Sequence, residues 1–329
     1  MPSVSTASGE ININRYKMKK YILLTVVLLV SLSSFALGQK QTYLYAVKGA
    51  DSLYLDHYVS SKEAMRPCMI FVFGGGFVRG ERDNEGYLPY FEYLNDNGYD
   101  VVSIDYRLGL KDLATSGVGS MRDMIGKLNN TVNIAVEDLF SATAFVLDNA
   151  REWGIDRDMI VTCGSSAGAI TVLQAENALC NRKRSATLLP EGFRYAGVIS
   201  FAGAIFSLDG APKWREKPAP VLMFHGSADT QVPYDKATML GVGFFGSKYL
   251  AEMFEEEGWP YWFYDVEYQT HAMAGLPMGR NLDEISTFLK YYVRDKRPLR
   301  KHTRLIDGDE PVRPTKFKVK DYLESNYGR

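Results

Sequence analysis

The sequence Gly164-Ser165-Ser166-Ala167-Gly168 follows the apolar run Met159-Ile160-Val161-Thr162-Cys163 and opens a run of small residues with helical character. A Gly-x-Ser-x-Gly pentapeptide between a strand and a helix predicts a sharp turn that exposes its central hydroxyl, here that of Ser166. Glycine is required on both sides because such a turn strains the backbone and brings the chain close to itself. A bare match to the pentapeptide is more often an ordinary turn. The interpretation of Ser166 as a nucleophile therefore depends on partners elsewhere in the sequence.

Strand-like and helix-like segments alternate through most of the 329 residues. The runs at 69–73 and 220–224 are apolar throughout, as in central strands that are buried on both faces. Because parallel strands need crossover connections, this alternation predicts an α/β fold with a mostly parallel central sheet, helices on both faces and antiparallel strands at the N-terminal edge. The predicted strands are 42–47, 53–59, 69–73, 100–105, 159–163, 195–201, 220–224 and 261–267; the predicted helices are 87–97, 132–151, 247–257, 282–293 and one that begins at Ala167; a long loop is predicted at 107–130.

The first 38 residues have the pattern of a secretory signal. Lys19 and Lys20 precede an apolar stretch, and Ala36 and Gly38 are the small residues expected before a cleavage site at Gln39. A membrane anchor needs about 20 apolar residues, and this stretch is shorter. We therefore expect a secreted or periplasmic protein with no stable membrane anchor. Its predicted parts are 1–38 (an upstream extension and the signal peptide), the domain 39–293 and a basic C-terminal arm at 294–329.

The predicted arm and the predicted domain carry net charges of opposite sign. The arm has eleven basic and six acidic residues, a net charge of +5, whereas 39–293 carries −9. We expect the arm to dock on the acidic domain or on the neighbouring subunit of a homodimer, with a flexible tail as the alternative. Without 1–38 the whole chain carries −4, which does not favour nucleic acid as a partner. The arm residues that would dock are Phe317, Val319, Tyr322 and Leu323.

Two patterns bear on cofactors. The three cysteines, Cys68, Cys163 and Cys180, lack the spacing of a metal site; the first two lie in predicted buried strands, and a disulfide that involves Cys180 stays open. The run at 241–246 matches a dinucleotide fingerprint, with Asp265 19 residues beyond its last glycine. The fingerprint requires a preceding strand, and the segment before it is short of β-branched residues. We therefore expect a mobile loop there and no metal or nucleotide cofactor.

A serine hydroxyl becomes a nucleophile when a general base takes its proton. His271 lies in a loop after the last predicted strand, where the carboxyl ends of parallel strands surround the functional crevice. Asp229 lies in the loop after 220–224 and would orient His271 and stabilise its charged form. The alternatives are an ordinary loop histidine at His271 and an Asx turn or helix cap at Asp229. The other histidines are His57 in the second strand, His302 in the arm, and His225, which could pack beside the acid loop.

A glycine loop, Gly74-Gly75-Gly76, follows the predicted strand at 69–73. Consecutive glycines let backbone N–H groups point at a developing negative charge without side chains in the way. The amides of Gly75, Gly76 and Ala167 would form an oxyanion hole. A flexible turn is the alternative for this loop.

With these parts, residues 42–293 resemble the α/β-hydrolase fold, and within it the esterases and lipases that have a His-Gly-Gly-Gly oxyanion loop. One departure is Phe73, which stands where this family usually has histidine. The resemblance rests on Gly74-Gly75-Gly76-Phe77, Tyr106-Arg107-Leu108, Gly154-Ile155-Asp156, the Gly164–Gly168 pentapeptide, His225-Gly226 with Asp229 and Val232-Pro233, and His271.

The resemblance implies a serine esterase with a triad of Ser166, Asp229 and His271 and with no cofactor, and the signal-like pattern of 1–38 makes it a secreted one. Compact bacterial esterases of this kind suggest an acetyl or hydroxycinnamoyl ester on plant polysaccharide as the substrate. A general short-chain carboxylesterase or lipase is one alternative, and a hydrolase fold that only binds a ligand is another. The segments 107–131 and 234–245 are the expected walls of the substrate pocket.

Overall fold

A nine-stranded sheet runs through the molecule. The computed structural model describes residues 40–61, 65–112, 120–239 and 241–317. The strand order of this sheet is β1-β2-β4-β3-β5-β6-β8-β11-β12, in labels defined by the bounds below. The first strand pairs antiparallel with the second, the second pairs antiparallel with β4, and the other pairs are parallel, which confirms the predicted fold class. The strands of the described chain are β1 Lys40–Lys48, β2 Asp51–Tyr58, β3 Arg66–Val72, β4 Asp100–Ile104, β5 Ile155–Ser165, β6 Gly197–Phe201, β7 Ala204–Ser207, β8 Val221–Gly226, β9 Lys236–Met239, β10 Val242–Gly246, β11 Tyr261–Val266 and β12 Arg300–Leu305.

Helices cover both faces of the large sheet. The Cys163 thiol in β5 lies 3.6 Å from the Tyr90 hydroxyl of the first helix. The next residue of the strand, Gly164, packs against the helix that begins at Ala167. Successive residues of a strand point to opposite faces, so these two helices lie on opposite sides. The α-helices are α1 Leu88–Asp96, α2 Met121–Trp153, α3 Ala167–Cys180, α4 Ser247–Glu256, α5 Pro277–Arg280 and α6 Leu282–Phe288; a π-helical turn, Leu289–Arg294, continues the last of them, and 3-10 helices lie at Glu85–Tyr87, Arg184–Leu188 and His271–Ala274.

Helix α2 begins well before the predicted residue 132, so the predicted loop at 107–130 was wrong over its second half. Ser120 and Asp123 form a reciprocal capping box, in which each side chain accepts a hydrogen bond from the other residue's backbone amide. Met124 and Leu128 are buried and extend the apolar stripe of the helix toward its start. The helix therefore begins with a capped first turn at Met121, which the apolar spacing from Val132 onward did not indicate.

Part of the predicted basic arm is a strand of the sheet. Arg300–Leu305 pairs in parallel with Tyr261–Val266 and forms the outer edge. The large sheet thus continues past residue 293, through a segment with little apolar character. Phe317 is partly buried. The other residues expected to dock, Val319, Tyr322 and Leu323, lie outside the described residues.

The run at 241–246 is a strand and not the expected mobile loop. Val242–Gly246 is the middle strand of a three-stranded antiparallel sheet, between Ala204–Ser207 and Lys236–Met239. A Cβ at Gly243 would overlap the carbonyl of Ala237, so this glycine allows close approach of its own hairpin partner rather than of a phosphate. The fingerprint match is therefore explained by strand packing.

The predicted extension and signal peptide, 1–38, lie outside the described residues. In the part of the chain that the structure describes, no helix is both long and apolar enough to span a bilayer. All three cysteines of the chain are described, and each is a buried free thiol. The disulfide left open for Cys180 is therefore not present in this structure.

Candidate active site

Ser166 occupies a strained turn between β5 and α3. Its φ of 53° and ψ of −114° lie where residues other than glycine are rarely found. The Ser166 amide donates to the carbonyl of Phe201, 2.9 Å away, which ties the turn to the next strand of the sheet. The hydroxyl is held at the tip of the turn and remains partly exposed. The predicted position of this serine on a strand-to-helix turn agrees with the structure.

The two flanking glycines are sites of close packing. A Cβ at Gly164 would overlap the backbone of Gly168, and a Cβ at Gly168 would overlap the carbonyl of Val72. Helix α3 therefore starts directly against strand β3, with no room for a side chain between them. This approach brings the residues after β3 next to Ser166.

His271 bridges Ser166 and Asp229. Its Nδ1 lies 2.7 Å from Asp229 Oδ2, and its Nε2 lies 2.8 Å from Ser166 Oγ. A carboxylate only accepts hydrogen bonds, so Nδ1 carries the hydrogen in the neutral ring and Nε2 accepts from the serine hydroxyl. The three predicted side chains thus meet, in the arrangement that lets an imidazole take the hydroxyl proton.

Asp229 is buried yet ionised. Burial alone would raise the pKa of this carboxyl, but hydrogen bonds from His225 and His271 outweigh that effect and hold the pKa well below its usual range. Its other oxygen accepts from the amides of Gln231 and Val232, at 2.8 and 2.9 Å. The carboxylate is therefore charged at neutral pH and fixed in orientation.

The loop that carries His271 is held in place by hydrogen bonds from three other segments of the chain. The Ser165 hydroxyl donates to the carbonyl of Ala274, 2.8 Å away, and the Ala228 amide donates to the carbonyl of Gln269 at 3.0 Å. From the C-terminal chain, Arg313 donates to the carbonyl of Tyr268 at 2.9 Å. Sequence reasoning missed these restraints, since none of them follows a recognisable spacing.

The glycine loop lies beside the nucleophile. A Cβ at Gly74 would sit 3.2 Å from the Cβ of Ser166. Gly75 and Gly76 have φ angles of 127° and 65°, which favour glycine. Within the described chain neither amide donates a hydrogen bond, and the Ala167 amide is the first of helix α3, where such groups lack a helical partner. The three amides expected to form an oxyanion hole are thus free of hydrogen-bond partners within the described chain; that of Gly75 directly follows Gly74, which packs against Ser166, and that of Ala167 directly follows Ser166.

The remaining histidines have other partners. His57 is buried with its Nε2 2.8 Å from Asp100 Oδ2, and His302 pairs with Asp265 at 3.3 Å. His225 does more than pack beside the acid loop, because its Nε2 lies 3.2 Å from Asp229 Oδ2. Its involvement with that carboxylate was not predicted.

The other site predictions fall partly outside the described residues. Of the expected pocket walls, 107–131 includes the undescribed segment 113–119, and 234–245 forms most of the hairpin β9–β10. Across the described ranges, no cluster of three or more histidine, cysteine or acidic side chains is arranged to hold a metal ion.

Comparison with known proteins relates the chain to esterases. The family model described as BD-FAE matches residues 55–203. The chain is 33% identical over 124 residues to the fumonisin B1 esterase of Sphingopyxis macrogoltabida, which covers 36% of this chain and 22% of that protein. It is 28% identical over 126 residues to gut esterase 1 of Caenorhabditis elegans, which covers 38% of this chain and 21% of that protein. The matched segment thus spans about a fifth of the length of these curated relatives.

Solved structures show a longer similarity. The thermophilic esterase Est2 of Thermogutta terrifontis, with butyrate bound, superimposes with a TM-score of 0.55 at 20% sequence identity, over 76% of this chain and 93% of that one. The same esterase phosphorylated by paraoxon gives a TM-score of 0.53 at 21% identity, over 76% and 93% of the two chains. The similarity therefore extends well beyond the region matched by the family model.

Proposed function

Because the chain has the α/β-hydrolase fold, we propose that it is a serine esterase that hydrolyses carboxylic esters through an acyl-enzyme. Ser166 Oγ attacks the acyl carbonyl while His271 Nε2 takes the hydroxyl proton. Asp229 stabilises the resulting imidazolium, and the amides of Gly75, Gly76 and Ala167 hold the oxyanion. His271 then protonates the leaving alcohol. Water attacks the acyl-enzyme, gives its proton to His271, and the acid leaves as Ser166 recovers its proton.

The observation that carries this proposal is the continuous set of hydrogen bonds from Asp229 through His271 to Ser166. The bonds are 2.7 and 2.8 Å long, and they join three separate loops of the chain. The second ring nitrogen of His271 contacts the hydroxyl of Ser166, a partly exposed serine in a strained turn. The Ala167 amide, which has no hydrogen-bond partner within the described chain, directly follows that serine. This arrangement serves acyl transfer.

Replacing the nucleophile or the base tests the proposal. We expect Ser166→Ala and His271→Ala each to lower kcat/KM on p-nitrophenyl acetate by about 10⁴-fold or more. His302→Ala is the matched control, because this histidine also faces a carboxylate but lies in the edge strand; its activity should stay within about twofold of the wild type. Retained activity in Ser166→Ala would refute the mechanism, and loss in His302→Ala with activity kept in His271→Ala would reassign the base.

For the substrate, we propose an acetyl or hydroxycinnamoyl ester on carbohydrate, acted on outside the cytoplasm. The resemblance to compact bacterial esterases supports the acyl class, and the signal-like pattern of 1–38 supports export. The butyrate bound to the structurally similar Est2 supports a site for a short acyl group. A general short-chain carboxylesterase is the alternative.

Rates on acetylated xylan, feruloylated arabinan and p-nitrophenyl butyrate, measured side by side, separate the two substrate classes. We expect kcat/KM on one of the polysaccharide esters to exceed that on the simple ester. A higher value on p-nitrophenyl butyrate than on both polysaccharides would support the carboxylesterase instead.

The proposed export is tested separately: mass spectrometry of the exported protein should find Gln39 at the N-terminus.

A further inference from the structure

A second histidine shares the carboxylate oxygen that holds His271. His225 is the penultimate residue of β8 and is fully buried. Its Nε2 lies 3.2 Å from Asp229 Oδ2, the same oxygen that accepts from His271 Nδ1 at 2.7 Å. The two imidazoles are thus joined through one atom.

The surroundings of His225 determine which of its nitrogens donates. Nε2 also lies 3.2 Å from the carbonyl of Val232, and a carbonyl and a carboxylate both only accept, so Nε2 carries a hydrogen. Nδ1 lies 2.8 Å from the Ser247 hydroxyl, which in turn lies 3.3 Å from the carbonyl of Gly203. The hydroxyl can accept from a protonated Nδ1 and donate to that carbonyl, or turn and donate to a neutral ring. In either state His225 donates toward Asp229.

This donation completes the shell around the carboxylate. The other oxygen of Asp229 already accepts from two backbone amides, so its four donors come from two imidazoles and two amides. A hydrogen bond donor withdraws negative charge from the oxygen that it contacts. The imidazolium of His271 therefore faces a weaker negative charge than a carboxylate without His225 would present.

We propose that His225 is a positioning residue that acts through Asp229: it fixes the carboxylate and sets the pH below which His271 stops acting as a base. The proposal rests on the proposed esterase function. It assigns a role to a histidine that touches neither the substrate nor Ser166.

Few other charged groups reach His225. Tyr234 lies edge-on with its ring centre 5.8 Å away, and burial raises its pKa well above the usual value, so it stays neutral. Asp265 is the register partner of His225 on β11, but it pairs with His302. On α4 the neighbour is Ser247, and the adjacent Lys248 pairs with Asp235. Asp229 is therefore the charged group in direct contact with His225 among the described residues.

Two substitutions separate donation from packing. His225→Leu removes the donor, so Asp229 becomes more negative and His271 should hold its proton to higher pH. We expect the acid limb of kcat/KM on p-nitrophenyl acetate to move up by about 1 pH unit. At the optimum, kcat should fall about tenfold with KM within about twofold, because orientation rather than ground-state binding is lost. His225→Gln keeps an N–H donor and should restore the acid limb to within about 0.3 pH unit of the wild type.

The matched control is His57→Leu, which removes another buried histidine that donates to a carboxylate, Asp100, away from the site. It should lower stability and leave the pH profile in place. Should His225→Leu fail to fold, Ser247→Ala tests the proposal instead, because without its Nδ1 partner the imidazole is held less firmly and its hydrogen bond to Asp229 weakens; we expect a smaller shift in the same direction. An unshifted acid limb in the folded variant, or an equal shift in His57→Leu, would overturn the proposal.

A second readout does not depend on catalysis. The downfield proton of the His271 Nδ1–H bond to Asp229 can be followed by NMR during a pH titration, and its midpoint should rise in His225→Leu. If the wild-type protein hydrolyses no ester, the proposed function fails, while this midpoint still tests His225. If the wild-type protein is active and neither the midpoint nor the acid limb moves, only the role of His225 fails.

Discussion

Phe73 stands where the resembling esterases carry histidine, and its contacts show what holds the oxyanion loop here. The ring of Phe73 is buried against Tyr106, with 4.6 Å between ring centres. The Tyr106 hydroxyl donates to the carbonyl of Phe73, 3.0 Å away. The residue directly before the glycine loop is thus fixed by a tyrosine from the next strand's loop.

Tyr106→Phe should therefore weaken catalysis by loosening the oxyanion loop. We expect a stability loss of about 1 kcal/mol from the unsatisfied carbonyl and a kcat about 3- to 10-fold lower on p-nitrophenyl acetate. Tyr195→Phe is the control, because that buried hydroxyl bonds Thr143 at 2.9 Å, away from Ser166. Equal kcat losses in the two variants would show that Tyr106 acts through general stability alone.

For single residues, the sequence predicted the positions of the catalytic groups along the chain but not the directions of the side chains that support them. Ser166, Asp229 and His271 could be placed because each follows a recognisable strand and belongs to a known order. The bond from His225 to Asp229 depends on how the turn between them folds back, and the bond from Tyr106 to Phe73 joins two loops. Neither has a spacing that identifies it.

At the scale of elements, the strand-to-helix turn works because α3 begins in contact with β3. All residues of α3 are buried, and Gly168 lies against the carbonyl of Val72. The glycines of the pentapeptide are thus packing residues as well as turn residues. A side chain at either position would push the helix away and move Ser166 with it.

Gly168→Ala should lower the free energy of unfolding by about 3 kcal/mol, because the new methyl group has no space. Gly126→Ala is the opposite control: Gly126 is exposed in α2 with open space around it, so alanine should stabilise the protein by about 0.5 to 1 kcal/mol. Urea denaturation of both variants measures the two effects. An unchanged free energy of unfolding in Gly168→Ala would mean that α3 can shift to make room for the methyl group without loss of stability.

Apolar runs predicted the buried strands of the large sheet, whereas the small sheet and the most polar elements were missed. Arg300–Leu305 is almost entirely exposed and gains its stability from the backbone ladder with β11, so no hydrophobic pattern marks it. The hairpin strand Lys236–Met239 is equally exposed. The start of α2 was missed because its capping box precedes a weakly apolar first turn.

At the scale of the whole molecule, the C-terminal chain reaches back to the loop of His271. At the end of β12, the Glu267 amide donates to the carbonyl of Leu305 at 2.9 Å, and beyond the strand the Gln269 side chain donates to Glu310 at 2.9 Å. Arg313 binds both Glu310 and the carbonyl of Tyr268. The loop is thus held between the acid loop on one side and the C-terminal chain on the other.

Removing these two anchors together, in Glu310→Ala/Arg313→Ala, should lower kcat/KM on p-nitrophenyl acetate about threefold to tenfold by loosening His271. Stability should fall by less than about 1 kcal/mol, since the pairs are partly exposed. Arg300→Ala removes an exposed pair with Glu255 at the other end of the strand and should leave the kinetics unchanged. Wild-type kinetics in the double variant would show that the loop needs no brace from the C-terminal chain.

The edge strand β12 also bears on self-association. An edge strand exposes unpaired backbone groups to which a second chain could add, and lysine and arginine on that strand oppose such addition. Arg300, Lys301 and Arg304 lie on this edge. A second copy that extended the sheet here would bring two strands rich in lysine and arginine together. Arg300 and Arg304 are partly neutralised by Glu255 and Glu267, and the remaining positive charge would repel most strongly at low salt. The strand that leads into the brace of the catalytic loop therefore also opposes growth of the sheet into aggregates.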